Sequence, residues 1–534
     1  MEADLILFNG RIYTMDANHP RAQAVAVTGN RILALGDDAE LRPVLRRGGQ
    51  AVDLAGRAVI PGLIDAHVHF GGDSVALYQG LVDLDNVPTK AEAAARVAEQ
   101  ARRTPPGQWI QGGGWNRNIW SDPAFPTAAD LDAVAPDHPV VLEDKSRHAT
   151  WVNSRALALA GITAATQDPA GGEIQRDESG RPTGILLETA TELVHEVIPE
   201  PDLDTMVEAL RQGISRAHRL GLTGLHDPGH PLVLAALQVL QAKGELDLRA
   251  LVHLPGETLD AAMRLGLRSG LGNEYLRIGG VKIFADGALG PQSAHMLAPY
   301  EATTDATGIP THTAEDLRDL VERAHAAGLS VAIHAIGDAA NRCVLDAIAA
   351  RRSSVSASSP APSLPDRIEH VQLLHPDDVP RLAQLGIVAS MQPIHATSDM
   401  EMAERYWGRR CDLAYAWHSV LDSGAHLAFG SDCPIETMDP VAGIHAAVTR
   451  RRADGSPGPK GWIPTQRLTV TEAVHAYTLG AAFASAEAHL KGSLVPGKVA
   501  DMAVLSRDVF AIDPMEILDA RVEMTIFDGR IVHR

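Results

Sequence analysis

The chain has 534 residues, 45% of them apolar and 21% charged, which are ordinary values for a globular protein with a large core. Its 47 Lys and Arg face 67 Asp and Glu, a net charge of −20 with no local basic patch. That balance excludes nucleic acid and anionic membrane as main partners, because both require a cationic surface.

Residues 4–57 read as short strands separated by turns. Asp4–Phe8 precedes Asn9-Gly10, a strong hairpin dipeptide, and Gln23–Val27 alternates into Gly29-Asn30 and Arg31–Leu35. The far end repeats this style with Ala503–Leu505, Val522–Phe527, Asp528-Gly529 and Arg530–His533. The ends share a phrase, Asn9-Gly10-Arg11-Ile12 and Asp528-Gly529-Arg530-Ile531. The reading is one small β-sandwich domain built from both termini, residues 1–57 with 493–534; two independent β-rich tails are the alternative. Between them, apolar strands alternate with amphipathic helices, the signature of a parallel sheet with helical crossovers. Candidate strands are 58–66, 221–227, 248–254, 278–285, 329–335, 366–372, 387–392 and 426–432. One helix starts at Thr313, has an acidic first turn through Asp316 and stops at Gly328. The pattern fits an α/β fold, a TIM-like (β/α)8 barrel over 58–492 with a large insertion after strand one, about 72–215. Stretches 353–365 and 453–461 read as solvated loops.

Aromatics contribute only 4%, so aliphatic side chains fill most of the core. Cys343, Cys411 and Cys433 form no CxxC pair and fit a reducing compartment. The first residues lack the basic and apolar regions of a signal peptide, and no apolar run approaches the ~18–20 residues of a membrane span. A cytoplasmic protein is expected. At roughly 150 residues per domain the length alone would suggest three or four domains.

The 23 histidines carry the chemistry. Strand one ends Asp65-Ala-His67-Val-His69, and residues i and i+2 of a strand share a face, so both imidazoles project together. Strand four carries Lys282 and Asp286, strand five ends at His334, strand six at His370 and strand eight at Asp432. Each of these polar residues arrives where an apolar run stops, the end at which barrel active sites lie. A single buried His is commonly a satisfied core residue. Four His, a Lys and an Asp converging from five strands are costly to bury unless they are paired or bind metal.

These residues resemble the metal-dependent amidohydrolase superfamily over essentially the whole chain. The ordered pattern is Pro61-Gly62-Leu-Ile-Asp65-Ala-His67-Val-His69, Lys282, His334, His370 and Asp432, closing with Pro496-Gly497-Lys498-Val-Ala500-Asp501. The phrases Val281-Lys-Ile-Phe-Ala-Asp-Gly287, Ser390-Met-Gln-Pro393 and His148-Ala-Thr-Trp-Val-Asn-Ser154 look like amidohydrolase family 3, the branch containing N-substituted formamide deformylases. The resemblance implies two divalent metals, Zn²⁺ foremost, with His67, His69 and Asp432 at one and His334 with His370 at the other. It implies a CO2-derived carboxylate on Lys282 bridging them. An unmodified Lys ammonium has no lone pair and would repel the metals; the alternative is a plain cation paired with Asp286 at a one-metal site. The implied reaction is hydrolysis by a metal-activated hydroxide, with Asp432 as general base and then general acid.

Substrate contacts are expected from Trp115, in the Gly112–Arg117 run that could form a loop over the barrel mouth, and from His148, Asp286 and Gln392. For Trp115, an ordinary turn with the indole packing against the barrel is the competing reading, and for His226-Asp227 a structural pair. His395 and Asp399 fall on an expected loop after strand seven and could reach substrate; Cys433 is read as structural. The leading function is hydrolysis of non-peptide C–N bonds of the N-formyl, N-acyl or carbamate type in a small-molecule substrate. Hydrolysis of cyclic amides or imides, deamination, and a non-catalytic scaffold compete with it. A homo-oligomer is compatible with the resemblance.

Overall fold

The computed structural model describes the chain except residues 1, 86, 123, 146–148, 170–171, 291, 302, 304 and 355–361. His148 and most of the 353–365 stretch therefore lie outside the described residues. The chain divides into two compact units, Met1–Asp73 with Met206–Arg534, and Ser74–Thr205.

The first unit is built on an eight-stranded parallel sheet. In chain order its strands are Leu63–Asp65, Leu222–Asp227, Arg249–Pro255, Leu276–Phe284, Val331–Ala335, Arg367–His370, Val388–Met391 and His426–Phe429, and spatial order follows chain order. The eighth meets the first through Ala66 N–H to the Phe429 carbonyl (2.9 Å) and Asp432 N–H to the His67 carbonyl (2.7 Å), which closes the barrel. Asp65 clasps the same seam, accepting from the Ser431 hydroxyl (2.5 Å) and from the amides of Ser431 (2.9 Å) and His67 (3.1 Å). A Cβ at Gly430 would lie 2.4 Å from the His67 nitrogen, so only glycine lets the two chain segments approach. Thr313 caps helix Ala314–Ala326 by accepting from the Asp316 amide, as its sequence position predicts.

Strand one departs from the expected 58–66. Ala58–Pro61 pairs with Met502–Leu505 and Arg11–Tyr13 in a six-stranded sheet made from both ends of the chain, and only Leu63–Asp65 joins the barrel. Pro61 has no N–H to donate, and a Cβ at Gly62 would collide with Thr223 Oγ1 at 2.2 Å, so the chain changes sheets there. A second, four-stranded sheet holds Arg31–Gly36, Ala24–Thr28, Ala3–Phe8 and Leu45–Asp53. Its apolar face packs on the first, with Leu5, Leu7, Val25 and Val52 in one cluster with Ile12, Val59, Val504 and Ile526. Asn9-Gly10 is not the hairpin turn expected. Ala3–Phe8 and Arg11–Tyr13 lie in different sheets, and the dipeptide carries the chain between them. Asp528-Gly529 does join two antiparallel partners, Val522–Phe527 and Arg530–His533.

The second unit has its own six-stranded mixed sheet, in the order Gly172–Arg176, Pro182–Glu188, Ala149–Val152, Val140–Asp144, Ile110–Trp115, Val82–Asp83. Gly112–Trp115 is thus part of a strand and not a loop. A Cβ at Gly112 would meet the Val82 carbonyl oxygen at 2.3 Å, which accounts for glycine there.

The terminal sheets are fastened to the barrel by a buried ion cluster. Arg249 at the start of strand three donates Nε–H to Asp501 Oδ2 (2.6 Å) and Nη2–H to Asp501 Oδ1 (3.1 Å) and Asp528 Oδ1 (3.0 Å). This gives the closing Pro496–Asp501 phrase a structural role. Because Asp501→Ala leaves a buried guanidinium without its main partner, it should cost about 3–5 kcal/mol, read as a lowered urea midpoint. An unchanged midpoint would show that the cluster does not hold the sheets.

Candidate active site

Side chains from strands one, four, five, six and eight meet at the C-terminal end of the barrel. The carboxylate of Asp432 lies at the centre. Its Oδ1 is 3.5 Å from His67 Nε2 and 3.3 Å from His69 Nε2, and its Oδ2 is 4.0 Å from His370 Nδ1 and 3.6 Å from His395 Nε2. The His334 and His370 rings lie 4.5 Å apart, and those of His67 and His370 5.0 Å. Two groups have the spacing of a metal-ligand set: His67, His69 and Asp432, and His370, His395 and Asp432. The second group contains His395, where the sequence pattern expects His334.

The outer nitrogen of each imidazole fixes what the inner one offers. His67 Nδ1 is 2.6 Å from Glu369 Oε2, and a carboxylate only accepts, so Nδ1 carries the proton and the buried Nε2 keeps its lone pair. Nε2 has no hydrogen-bond partner among the described residues. His334 Nε2 donates to the Gly287 carbonyl (3.0 Å), leaving Nδ1 with its lone pair. His370 Nδ1 donates to Gln392 Oε1 (2.9 Å), leaving Nε2. Burial, reinforced by the charge of Lys282, lowers His67 to about 4 and His334 to about 3, and burial holds His370 well below its ordinary value. These three imidazoles are therefore neutral at neutral pH, as a metal ligand must be. A buried carboxylate beside neutral imidazoles, with the lone pair of His67 Nε2 left unpartnered, fits a divalent cation.

Burial raises the Asp432 carboxyl, but the His69 hydrogen bond and the neighbouring imidazoles outweigh it, and the group stays ionised. Lys282, also buried, is pushed down from the ordinary amine value. It has no ion pair among the described residues, and its Nζ lies 4.9 Å from the centre of the Phe284 ring. The alternative pairing with Asp286 does not form. Asp286 accepts from the amides of His295 (2.8 Å), Ile336 (3.0 Å) and Gly337 (2.8 Å), and so shapes the chain after strands four and five. With its oxygens so occupied and the residue only 2% exposed, Asp286 is placed as an organiser of these loops and not as a substrate contact.

The other expected contacts separate. Gln392 reaches the site as the partner of His370. Trp115 lies in the core of the second unit, its indole donating to the Leu142 carbonyl (2.9 Å) and packing on Trp120 and Trp151; it ends strand Ile110–Trp115 and packs within its own unit, so it sits in neither the loop nor the turn expected. His226 accepts from Arg367, and Asp227 accepts from the amides of Phe70 and Gly229, so the pair supports the chain after His69. Cys433 is buried against Asp73, as a structural residue would be.

Two residues that the sequence reading passed over, Glu369 and Arg367, organise the interior. Burial alone would raise the Glu369 carboxyl, yet Arg367 and His67 hold it well below the ordinary value. Arg367 Nε lies 2.5 Å from Glu369 Oε1, and its other nitrogens donate to the Ala66 carbonyl, the Ser390 hydroxyl and His226. The signal was the Arg-Ile-Glu-His phrase itself. Glu369→Gln should weaken metal retention by about 10–100-fold, measured as metal remaining per chain across a chelator titration. Retention equal to wild type would show that Glu369 does not orient His67.

The amidohydrolase family model matches residues 50–533. The protein LONG AFTER FAR-RED 3 of Arabidopsis thaliana is 36% identical, covering 94% of this chain and 87% of its own length. The N-substituted formamide deformylase of Arthrobacter pascens is 32% identical, covering 98% and 97%. The crystal structure of an uncharacterized metal-dependent hydrolase from Pyrococcus horikoshii superposes with a TM-score of 0.80 at 29% identity, covering 96% of this chain and 99% of that one. With its closed parallel barrel and its converging imidazoles and carboxylate, the chain belongs to the amidohydrolase family and is a metal-dependent hydrolase of carbon–nitrogen bonds.

Proposed function

We propose that this enzyme hydrolyses non-peptide amides of the N-formyl, N-acyl or carbamate type, with two divalent metals, Zn²⁺ foremost, held by His67, His69, His334, His370, Asp432 and a carboxylated Lys282. The observation that carries the reading is the gathering of His67, His69 and His370 around the ionised Asp432, with His334 against His370 and His67 offering an unpartnered Nε2, beside the buried Lys282. A lysine pushed toward its neutral form by burial is a nucleophile able to add CO2, and the resulting carbamate supplies the anion that two dications require. The 32% identity to an N-substituted formamide deformylase supports the formamide end of the range. Phe284 supports an apolar N-substituent, because it is 49% exposed with its ring 5.1 Å from that of His334.

Metal bound there supplies Lewis acidity, lowering the pKa of water and polarising the amide carbonyl. Asp432 takes the proton from the attacking water as the C–O bond forms and returns it to the leaving nitrogen as the C–N bond breaks. Held ionised, it is ready as the base, and its contacts with His67 and His69 keep it beside the residues that would hold the metal. Gln392 and Gly287 hold the rings of His370 and His334, and Glu369 holds that of His67, so the site is oriented before substrate arrives.

The test is a panel of N-formyl, N-acetyl, carbamoyl and cyclic amides offered to metal-loaded protein, with metal counted per chain. Turnover of formamides with about two metals per chain supports the reading. Turnover of cyclic amides alone replaces it, and a metal-replete preparation that binds none overturns it. Asp432→Asn should retain metal while turnover falls by about 10²–10⁴-fold; a near-wild-type rate removes Asp432 as the base. Lys282→Ala should lose metal and activity together, with partial rescue by short carboxylic acids in bicarbonate-free buffer.

A further inference from the structure

The barrel mouth holds one imidazole more than the ligand set uses. His395 is carried on the first turn of helix Pro393–Trp407, where a loop was expected, and is 7% exposed. Its ring stacks on that of His370 at 6.1 Å with an interplanar angle of 15°. Its Nε2 is buried, 3.6 Å from Asp432 Oδ2, and has no hydrogen-bond partner among the described residues.

Its outer nitrogen sets it apart. His67, His334 and His370 each turn that nitrogen to an oxygen, which can only accept, and so keep a lone pair on the inner side. His395 Nδ1 instead faces the amide nitrogen of Gln372 at 3.3 Å, which can only donate. Nδ1 is then the acceptor, and the proton is on Nε2. His395 offers the mouth an N–H where its neighbours offer lone pairs. The helix face that carries it is fixed one turn on, where Asp399 accepts from the Tyr415 hydroxyl (2.5 Å) and the Tyr415 carbonyl accepts from the buried Arg450 (2.9 Å). The N–H is therefore built in and left without a partner beside the catalytic carboxylate.

We infer that His395 is not a metal ligand but a catalytic hydrogen-bond donor, giving its Nε2–H to the carbonyl oxygen of the bound amide. The inference rests on the amide-hydrolase reading above. A fixed donor beside Asp432 strengthens its bond as that oxygen gains negative charge, and so favours the transition state over the ground state.

The experiment takes His395→Ala, His395→Gln and Gln372→Glu in the metal-loaded protein, with an N-alkylformamide as substrate. Metal per chain is measured by mass spectrometry, beside kcat and KM. In His395→Ala, metal content should match wild type while kcat falls by about 10²–10³-fold with little change in KM. His395→Gln, which keeps an N–H, should recover part of kcat. Gln372→Glu presents only acceptors to Nδ1, draws the proton there and strips Nε2 of it, so it should lower kcat with metal retained even if His395→Ala fails to fold. Loss of one metal equivalent in His395→Ala would make His395 a ligand, with the Gln372 amide turned the other way, and overturns the inference. Unchanged kcat in His395→Ala or in Gln372→Glu overturns it as well. Absence of turnover in fully metallated wild type removes the amide-hydrolase reading and this inference with it, whereas an active wild type with equally active variants removes this inference alone.

Discussion

The buried pairing of Glu369 with Arg367 is the interaction on which the proposed metal site depends. A lone ionised carboxylate in the middle of a barrel would be strongly disfavoured, and so would a lone guanidinium. Together, and with their remaining hydrogen-bonding groups satisfied, they become tolerable. Arg367 spends its other donors on the Ala66 carbonyl, Ser390 and His226, which lie beside or on strands one, seven and two. Glu369 spends its second oxygen on His67. The charge pair thus connects four strands and fixes the tautomer of His67, a proposed metal ligand, in the same contacts. An apolar barrel interior of equal volume could hold the strands as well, but it could not hold His67 with its lone pair aimed outward.

Orientation at the mouth also uses backbone strain. His370 (φ 76°), Val371 (φ 44°) and Asp432 (φ 58°) all occupy the left-handed region, which is a genuine outlier for a β-branched valine. Such residues cost of order 1–3 kcal/mol each and persist where neighbouring contacts over-determine them. Here Val371 N–H is held by the Ala335 carbonyl at 3.1 Å and Asp432 N–H by that of His67 at 2.7 Å. The strain lies at the ends of strands six and eight, where a straight continuation would carry the next side chains past the mouth.

That strain also explains which parts of the site were legible in the sequence. Strand positions and the polar residue near the end of each apolar run follow from where barrel strands stop, whereas His67 and His69 lie past strand Leu63–Asp65, so the chain beyond the strand, and not strand alternation, brings both to Asp432. Glu369 was missed because alternation assigns adjacent residues to opposite faces, and His370 was already facing inward. The positive φ at His370 breaks the alternation, so that both side chains serve the interior. The division of 58–66 was hidden for a related reason: an unbroken apolar run does not say which of two sheets each half joins. Asn9-Gly10 is a local turn signal, and only the pairing of Ala3–Phe8 and Arg11–Tyr13 with other strands reveals that it links sheets. Trp115 sat in a glycine-rich run that reads as a loop, but the glycines answer the close approach of Val82 within a sheet.

His395 marks the limit of what composition and spacing can say about a histidine. By residue type it is equivalent to His67, His334 and His370, and by distance it joins a ligand-like group with His370 and Asp432. The difference lies in the atom behind the ring. Oxygen behind an imidazole makes its front a Lewis base, and an amide nitrogen behind it makes its front an acid. The chain places Glu369, Gly287 and Gln392 behind three rings and the nitrogen of Gln372 behind the fourth. Hydrolysis of an amide needs both kinds of front, lone pairs to hold the metal and an N–H to meet the oxygen on which charge develops. The partners one layer away divide these roles among side chains that are otherwise the same.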